Sequence, residues 1–497
     1  MSLQAWKNTM KLQRYKQNLK PVYKPFNHQM EAFEAIKDKA YFGIFHEQGL
    51  GKTKIAVDLA LYWLEQEICE SVVFVTKKNL VRNWQSEVKE HTNIYPVLFS
   101  ATKKENAAYF NSPAYLFICH YDLIKNDLEN FKTFCQMRKV GMILDESVAI
   151  KNPTSQVSKA FHNLSKFLVR KIIMTGTPVD NRPYDVWSQV YFLDGGESLG
   201  TSFTSFKEKY DLKKDLNTNA LAKIKFENDL LLLKSKLKNI SVRETKDTAK
   251  LDLPEKTFHR VEVEMDDAQR AIYEKVKNEV ELEIIKDGKP KLEDFEFLAV
   301  RLLRLIQVSS DPSIFDESYK SMPPKFRALK EIIEETGREE KIIIWTNYIK
   351  TSENLAKRLE SYEPLLLNGN IDTEERNRRI NQFKTSSKKI LIATIGSAKE
   401  GLTLTVANHA VFFERNFSLA DYLQAQDRIH RISQNKEAHI YNIFTKNSVE
   451  EWIEALVQAK ESAASFVQGD IDSESFADKI RYDFDEILHN VLNRNEL

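Results

Sequence analysis

Three short stretches of this 497-residue chain carry residue types that could do chemistry together. The first is Gly49-Leu50-Gly51-Lys52-Thr53, between the apolar runs Tyr41-Phe42-Gly43-Ile44-Phe45 and Ile55-Ala56-Val57-Asp58-Leu59-Ala60. This order predicts a strand, a tight glycine turn and a helix. Such a turn points backbone N–H groups inward to cradle phosphate oxygens, and the helix aims its positive end at the same place. Lys52 is placed to reach the outer phosphates and Thr53 to hold Mg²⁺. The strict pattern has a further glycine at position 46, where this chain carries His46. A short glycine-lysine-threonine run also describes an ordinary loop, so the decision rests on the other two stretches. In the second, Asp145-Glu146 directly follows Val140-Gly141-Met142-Ile143-Leu144. A carboxylate at a strand end can hold Mg²⁺ through water opposite Thr53, and its neighbour can orient and deprotonate an attacking water. The third is Gln424-Ala425-Gln426-Asp427-Arg428-Ile429-His430-Arg431-Ile432. Arg428 and Arg431, three apart, are expected on one helical face. Guanidinium groups delivered to a transferring phosphoryl group are worth roughly 10³–10⁵ in rate. Standing alone, the same stretch also reads as a salt-bridged surface helix.

The elements that must position these groups alternate along the chain. Ser71–Val75 runs into Thr76-Lys77, Tyr115–Cys119 into His120, Val140–Leu144 into Asp145, and Lys171–Met174 into Thr175-Gly176-Thr177-Pro178. Helical patterns separate them. Such alternation specifies a parallel sheet covered on both faces, with the ligand beyond the carboxyl ends of the strands. Gln29, ahead of the first strand, either reads an adenine edge through its amide or starts a helix. A second series follows, with strands expected at Lys341–Trp345, Pro364–Leu367, Lys389–Ala393, His409–Phe413 and Ala438–Phe444. The fold class is therefore α/β, two lobes of similar build. The expected organisation is a basic leader over 1–24, a first lobe over 25–250 with a helical protrusion near 203–250, and a second lobe over 251–455 with a protrusion near 267–310. A C-terminal helical tail occupies 456–497.

Composition sets the remaining bounds. The hydrophobic share of 42% and the charged share of 29% describe an ordinary globular chain. A net charge of +1 means that nucleic-acid affinity must come from local surfaces. The leader (Lys7, Lys11, Arg14, Lys16, Lys20 and Lys24) either contacts phosphates or is a solvated arm. Cys69, Cys119 and Cys135 share no metal-like spacing, and an odd number implies reduced thiols inside a cell. With no targeting segment and no apolar run of bilayer length, the expectation is a cytoplasmic protein without membrane contact. The tail pattern Phe476, Ile480, Phe484, Ile487, Leu488 and Val491 is amphipathic. It packs on the second lobe or docks a protein partner.

The ordered set resembles the SWI/SNF-type ATPases, the double-stranded-DNA translocating branch of helicase superfamily two. The resemblance rests on Gln29, the Gly-Leu-Gly-Lys-Thr loop, Asn83-Trp84, Asp145-Glu146 followed by Ile150-Lys151-Asn152, and Thr175-Gly176-Thr177-Pro178 with Asn181. In the second half it rests on Gly401-Leu402-Thr403-Leu404 and Asp427-Arg428-Ile429-His430-Arg431-Ile432-Ser433-Gln434. It implies two RecA-like lobes. Gln29 would recognise adenine, and Gly49, Leu50, Gly51, Lys52, Thr53, Asp145 and Glu146 would bind and hydrolyse Mg·ATP. Gly401, Gln424, Arg428 and Arg431 would close on the nucleotide. Thr76, Lys77, His120, Thr175, Thr177, Asn347 and Ser397 would face DNA or couple it to ATP. The chain departs from the family pattern in three places, one of them Asn416-Phe417-Ser418, where an aromatic-asparagine-proline run is usual. His46-Glu47-Gln48 stands where Asp-Glu-Met is usual, and Asp145-Glu146-Ser147-Val148 lacks the usual closing histidine, which links the ATP state to the threonine motif. The functional expectation is an ATP-driven motor on double-stranded DNA. Its rivals are a strand-separating DNA or RNA helicase and a nucleic-acid clamp subunit with weak ATPase activity.

Overall fold

The structure, a computed structural model, describes residues 17–471 except 101, 180–181, 211–219, 250–252, 287–288, 291–294, 338, 399–402 and 432. Most of the basic leader, Asn181, Gly401, Leu402 and the amphipathic tail pattern therefore lie outside the described residues. The chain divides into two compact units, Met1–Leu251 with Ala463–Asp478, and Asp252–Ser462 with Lys479–Leu497.

In the first unit, helix α1 (Asn27–Ile36) precedes strand β1 (Tyr41–Ile44) and helix α2 (Lys52–Glu65). Then come β2 (Ser71–Thr76), α3 (Val81–His91), β3 (Val97–Leu98), β4 (Leu116–His120), β5 (Val140–Asp145), β6 (Arg170–Met174) and β7 (Ser241–Val242). The strands form one sheet in the order β3-β4-β2-β5-β6-β1-β7, every pair parallel. Alternate residues feed opposite faces, as the two-residue period of a strand requires. Val72, Phe74, Ile143 and Met174 pack into one core with Val57 and Trp63 of α2. Val73, Val75, Leu144 and Ile173 enter another with Phe131 and Phe161. The three cysteines are free and buried. Helices α4 (Phe203–Tyr210) and α5 (Ala220–Ile240) fall within residues 203–250.

The second unit contains β8 (Lys256–Val263), α6 (Asp267–Ile284), α7 (Phe295–Ser310), β9 (Ile342–Thr346), β10 (Leu365–Leu367), β11 (Ile390–Thr394), β12 (His409–Phe412), α8 (Leu419–Gln426) and β13 (Ala438–Thr445). Its sheet runs β10-β11-β9-β12-β13-β8, again all parallel. The sequence pattern did not announce β8. It is an edge strand of alternating half-buried and exposed residues, Lys-Thr-Phe-His-Arg-Val-Glu-Val, with too little apolar content to stand out. Helix α9 (Val449–Gln468) runs through position 456, where the tail was expected to begin. Among the described residues no helix is long and apolar enough to cross a membrane.

Candidate nucleotide site and strand-end residues

The phosphate loop lies between β1 and α2, where the sequence places it. Gly49 and Gly51 take positive φ values of 88° and 72°, a region glycine enters without steric cost. Gly51 caps α2, and a Cβ there would lie 2.2 Å from Gln29 Nε2. The positive φ at position 51 favours glycine whatever the space around it. Gln29 Nε2 donates to Leu50 O at 3.2 Å, and the Phe26 N–H donates to Gln29 Oε1 at 3.0 Å. The side chain thus starts a helix and leans on the loop at once. Lys52, 8% exposed, folds back over its own loop, with Nζ 2.9 Å from His46 O and 3.2 Å from Glu47 O. Thr53 is half-buried in the first turn of α2.

Asp145 is the last residue of β5. Its Oδ2 accepts from Trp84 Nε1 of α3 at 2.7 Å and from Thr76 Oγ1, the end of β2, at 3.1 Å. The Tyr121 hydroxyl donates to its backbone oxygen at 2.7 Å. Burial and the adjacent Glu146 charge push the Asp145 carboxyl up to about 6, against the pull of Trp84, Lys52 and Thr76. Glu146 sits at φ 51°, uncommon for a residue with a side chain. Gln48 Nε2 donates to its Oε1 at 3.2 Å, and Thr175 Oγ1 lies 3.5 Å from its Oε2. Ser147 donates to Gln189, whose amide donates to Pro178 O at 2.9 Å, so position 147 is joined to the threonine loop through a third residue.

Two adjacent half-buried carboxyl groups at a strand end, one pushed up by desolvation and then by the other's charge, are a donor set that a divalent cation would relieve. Among the described residues no three His, Cys, Asp or Glu side chains are grouped to hold a metal by themselves. A cation held here would take the rest of its coordination from phosphate oxygens and water, as Mg²⁺ does in nucleotide sites.

The other expected residues also sit at carboxyl ends of strands. Thr76 and His120 close β2 and β4, and Thr175 and Thr177 follow β6. Burial lowers the His120 pKa. Thr177 is buried with no partner for its hydroxyl among the described residues. Lys77, directly after β2, is half-buried. In the second unit Asn347 follows β9, its N–H donating to Glu414 Oε2 at 2.9 Å. Ser397 follows β11 and donates to Leu367 O at 3.0 Å.

One expectation is corrected. Arg428 and Arg431 do not share a helical face, because α8 ends at Gln426 and both lie in the turns beyond it. The Leu404 N–H takes the Arg428 carbonyl at 2.9 Å, and Arg428 Nε donates back to Gln424 O at 2.9 Å. The backbone acceptor that would extend the helix is thus engaged by another loop. Arg428 is 3% exposed, while Arg431 donates to Thr403 Oγ1 at 3.1 Å on the surface. The two arginines are presented separately.

Sequence reasoning assigned no role to Gln48, Tyr121 or Glu414. Only Gln48, inside the loop region, had a local signal. The other two are brought in by sheet order.

A parallel sheet with a phosphate loop after its first strand and paired carboxylates at a central strand end defines a nucleotide hydrolase of the P-loop class. Residues 37–314 match the family described as the SNF2-related domain, and residues 324–433 match the helicase conserved C-terminal domain. The chain belongs to the SNF2-related family of ATP-dependent helicases, ATPases of helicase superfamily two. It is 25% identical to an uncharacterised ATP-dependent helicase of Mycoplasma genitalium over 84% of this chain and 39% of that protein. It is also 25% identical to a putative ATP-dependent helicase/translocase of Bacillus subtilis over 84% of this chain and 45% of that protein. The chain thus spans less than half the length of these relatives. A solved SWI2/SNF2 ATPase core of Sulfolobus solfataricus, in complex with double-stranded DNA, aligns with 97% of this chain and 99% of its own at 21% identity and a TM-score of 0.42.

Proposed function

We propose that this chain hydrolyses Mg·ATP to move along double-stranded DNA. The observation that carries the reading is the Lys52, Asp145 and Glu146 arrangement, in a chain of a family whose members include proteins named as helicase/translocase and as DNA repair and recombination protein. Thr53 and Asp145 would hold Mg²⁺, which supplies charge neutralisation at the phosphate oxygens. Lys52 leaves its resting carbonyls for the outer phosphates, while Gln29 and the loop N–H groups seat the nucleotide. Glu146 takes the proton of the attacking water. Arg428 and Arg431 are assigned to the transferring phosphoryl group, and Gln424 and Gly401 to ATP binding. Thr76, Lys77, His120, Thr175, Thr177, Asn347 and Ser397 meet the DNA backbone or transmit its presence. Backbone contacts carry no base information, so movement need not depend on sequence.

The test is displacement of a third DNA strand from a blunt duplex. ATP-dependent displacement that leaves a forked duplex unseparated is the expected result. Separation of the fork strands instead would assign the chain to the strand-separating helicases.

A further inference from the structure

The Glu146 carboxylate is held from two sides, and one holder comes from the phosphate loop. Gln48 is 7% exposed and lies one residue before Gly49. Its side chain crosses Gly176, where an added Cβ would meet Gln48 Cγ at 2.9 Å and Nε2 at 3.0 Å. The glutamine can lie there because position 176 has no side chain. At its end Nε2 donates to Glu146 Oε1 at 3.2 Å, while the Thr175 hydroxyl faces Oε2 at 3.5 Å. Glu146 itself takes a positive φ of 51°, a backbone conformation uncommon for a residue with a side chain.

We propose that Gln48 is a positioning residue for hydrolysis, its amide fixing the Glu146 carboxylate in the orientation that accepts the proton of the attacking water. This rests on Glu146 being the general base. In that step the water oxygen forms the new bond to the γ-phosphorus as the bond to the ADP oxygen breaks. The water proton passes to Glu146. A carboxylate only accepts hydrogen bonds, so its holder must be a donor. A neutral amide donor orients the base without pairing its charge, whereas a lysine or arginine would hold the proton off. The holder belongs to the segment that cradles the phosphates, so the base is aimed by the loop that carries the nucleotide. Val148, two residues on, has no polar group with which to do this.

The experiment compares Gln48→Met, Gln48→Glu and Glu146→Gln in the full chain, measuring kcat and KM for ATP and binding of a fluorescent ATP analogue. Gln48→Met keeps the length of the side chain over Gly176 and removes the donor. Its kcat should fall roughly tenfold with KM and nucleotide binding little changed, the loss expected for one hydrogen bond to a charged group. Gln48→Glu keeps the shape, reverses the polarity and should fall further. A purely packing role predicts the opposite order, so Gln48→Glu at wild-type kcat overturns the proposal. Loss of nucleotide binding in both Gln48 variants also overturns it, by placing the residue in the folding of the loop. Glu146→Gln separates the two layers. If it is inactive while both Gln48 variants turn over normally, Gln48 is dismissed and the base stands. If it turns over normally, the base and its positioning residue fall together.

Discussion

Each unit sets a carboxylate at the carboxyl end of a central strand, half-buried in the first and fully buried in the second, and holds it with a threonine from the strand beside it. In the first, Asp145 at the end of β5 accepts from Thr76 of β2. In the second, Glu414, two residues past β12 and 0% exposed, accepts from Thr346 of β9 at 2.7 Å. Burial raises the pKa of both. The neighbours make the difference. Asp145 has a second carboxyl group beside it and the loop lysine close enough to act on it. Glu414 also takes the Asn347 N–H, and its nearest lysine, Lys325, is itself engaged by Glu450 and Phe413 O. One arrangement leaves charge available to a cation and a nucleotide. The other closes the loop after β9 onto the strand end. On the proposed function, the same device of a parallel sheet would serve chemistry in the unit with the phosphate loop and bracing in the other.

The largest effects should come from the chemical side. Lys52→Ala should abolish hydrolysis, and Asp145→Asn should do so while the first unit melts near its wild-type temperature, since the amide keeps an acceptor for Thr76 and Trp84. Retained turnover in Asp145→Asn would erase the contrast. Arg431→Ala should still bind ATP while its turnover falls by roughly 10³ or more. Normal turnover in that variant would remove Arg431 from the reaction. On the bracing side Glu414→Gln should keep most of the turnover. Glu414→Ala strands a buried hydroxyl and a buried N–H and should cost the second unit about 1–3 kcal/mol, read from its melting. A mild Glu414→Ala with an inactive Glu414→Gln would make Glu414 a second chemical carboxylate.

A further effect, small near neutral pH, is a pH dependence of the first unit. Burial first, then the charges of Lys52, His28 and Arg243, push His46 down to about 3 from 6.5. The folded state therefore stays neutral there, while the unfolded chain takes up a proton below 6.5. Stability is full above pH 6.5 and declines as pH falls toward 3, with about one proton bound on unfolding. His46→Gln should melt with a shallower acid slope. An unchanged slope would show that His46 is not the group responsible.

Much of this was legible in the chain because apolar runs of a parallel sheet are continuous and their polar ends are abrupt. Val140–Leu144 followed by Asp145 gave both the strand and the site, and Gly49–Thr53 gave the turn. What stayed hidden depends on sheet order. Thr76 meets Asp145 only because β2 lies beside β5, and Thr346 meets Glu414 only because β9 lies beside β12. The end of α8 before Arg428 was equally invisible, since the competing donor, Leu404, is 24 residues upstream. Strand β8 escaped because an edge strand needs few apolar residues. Gln48 was within reach, as a side-chain donor directly before the loop glycines.

The most direct measurement of the central claim is the ATPase rate of the purified chain without nucleic acid, with blunt duplex DNA, with single-stranded DNA and with RNA, all at one fixed salt concentration. Salt must be held because phosphate-driven binding weakens steeply as it rises. The account predicts strong stimulation by duplex DNA alone, abolished by Lys52→Ala. Stimulation by single strands or RNA with none by duplex would contradict it.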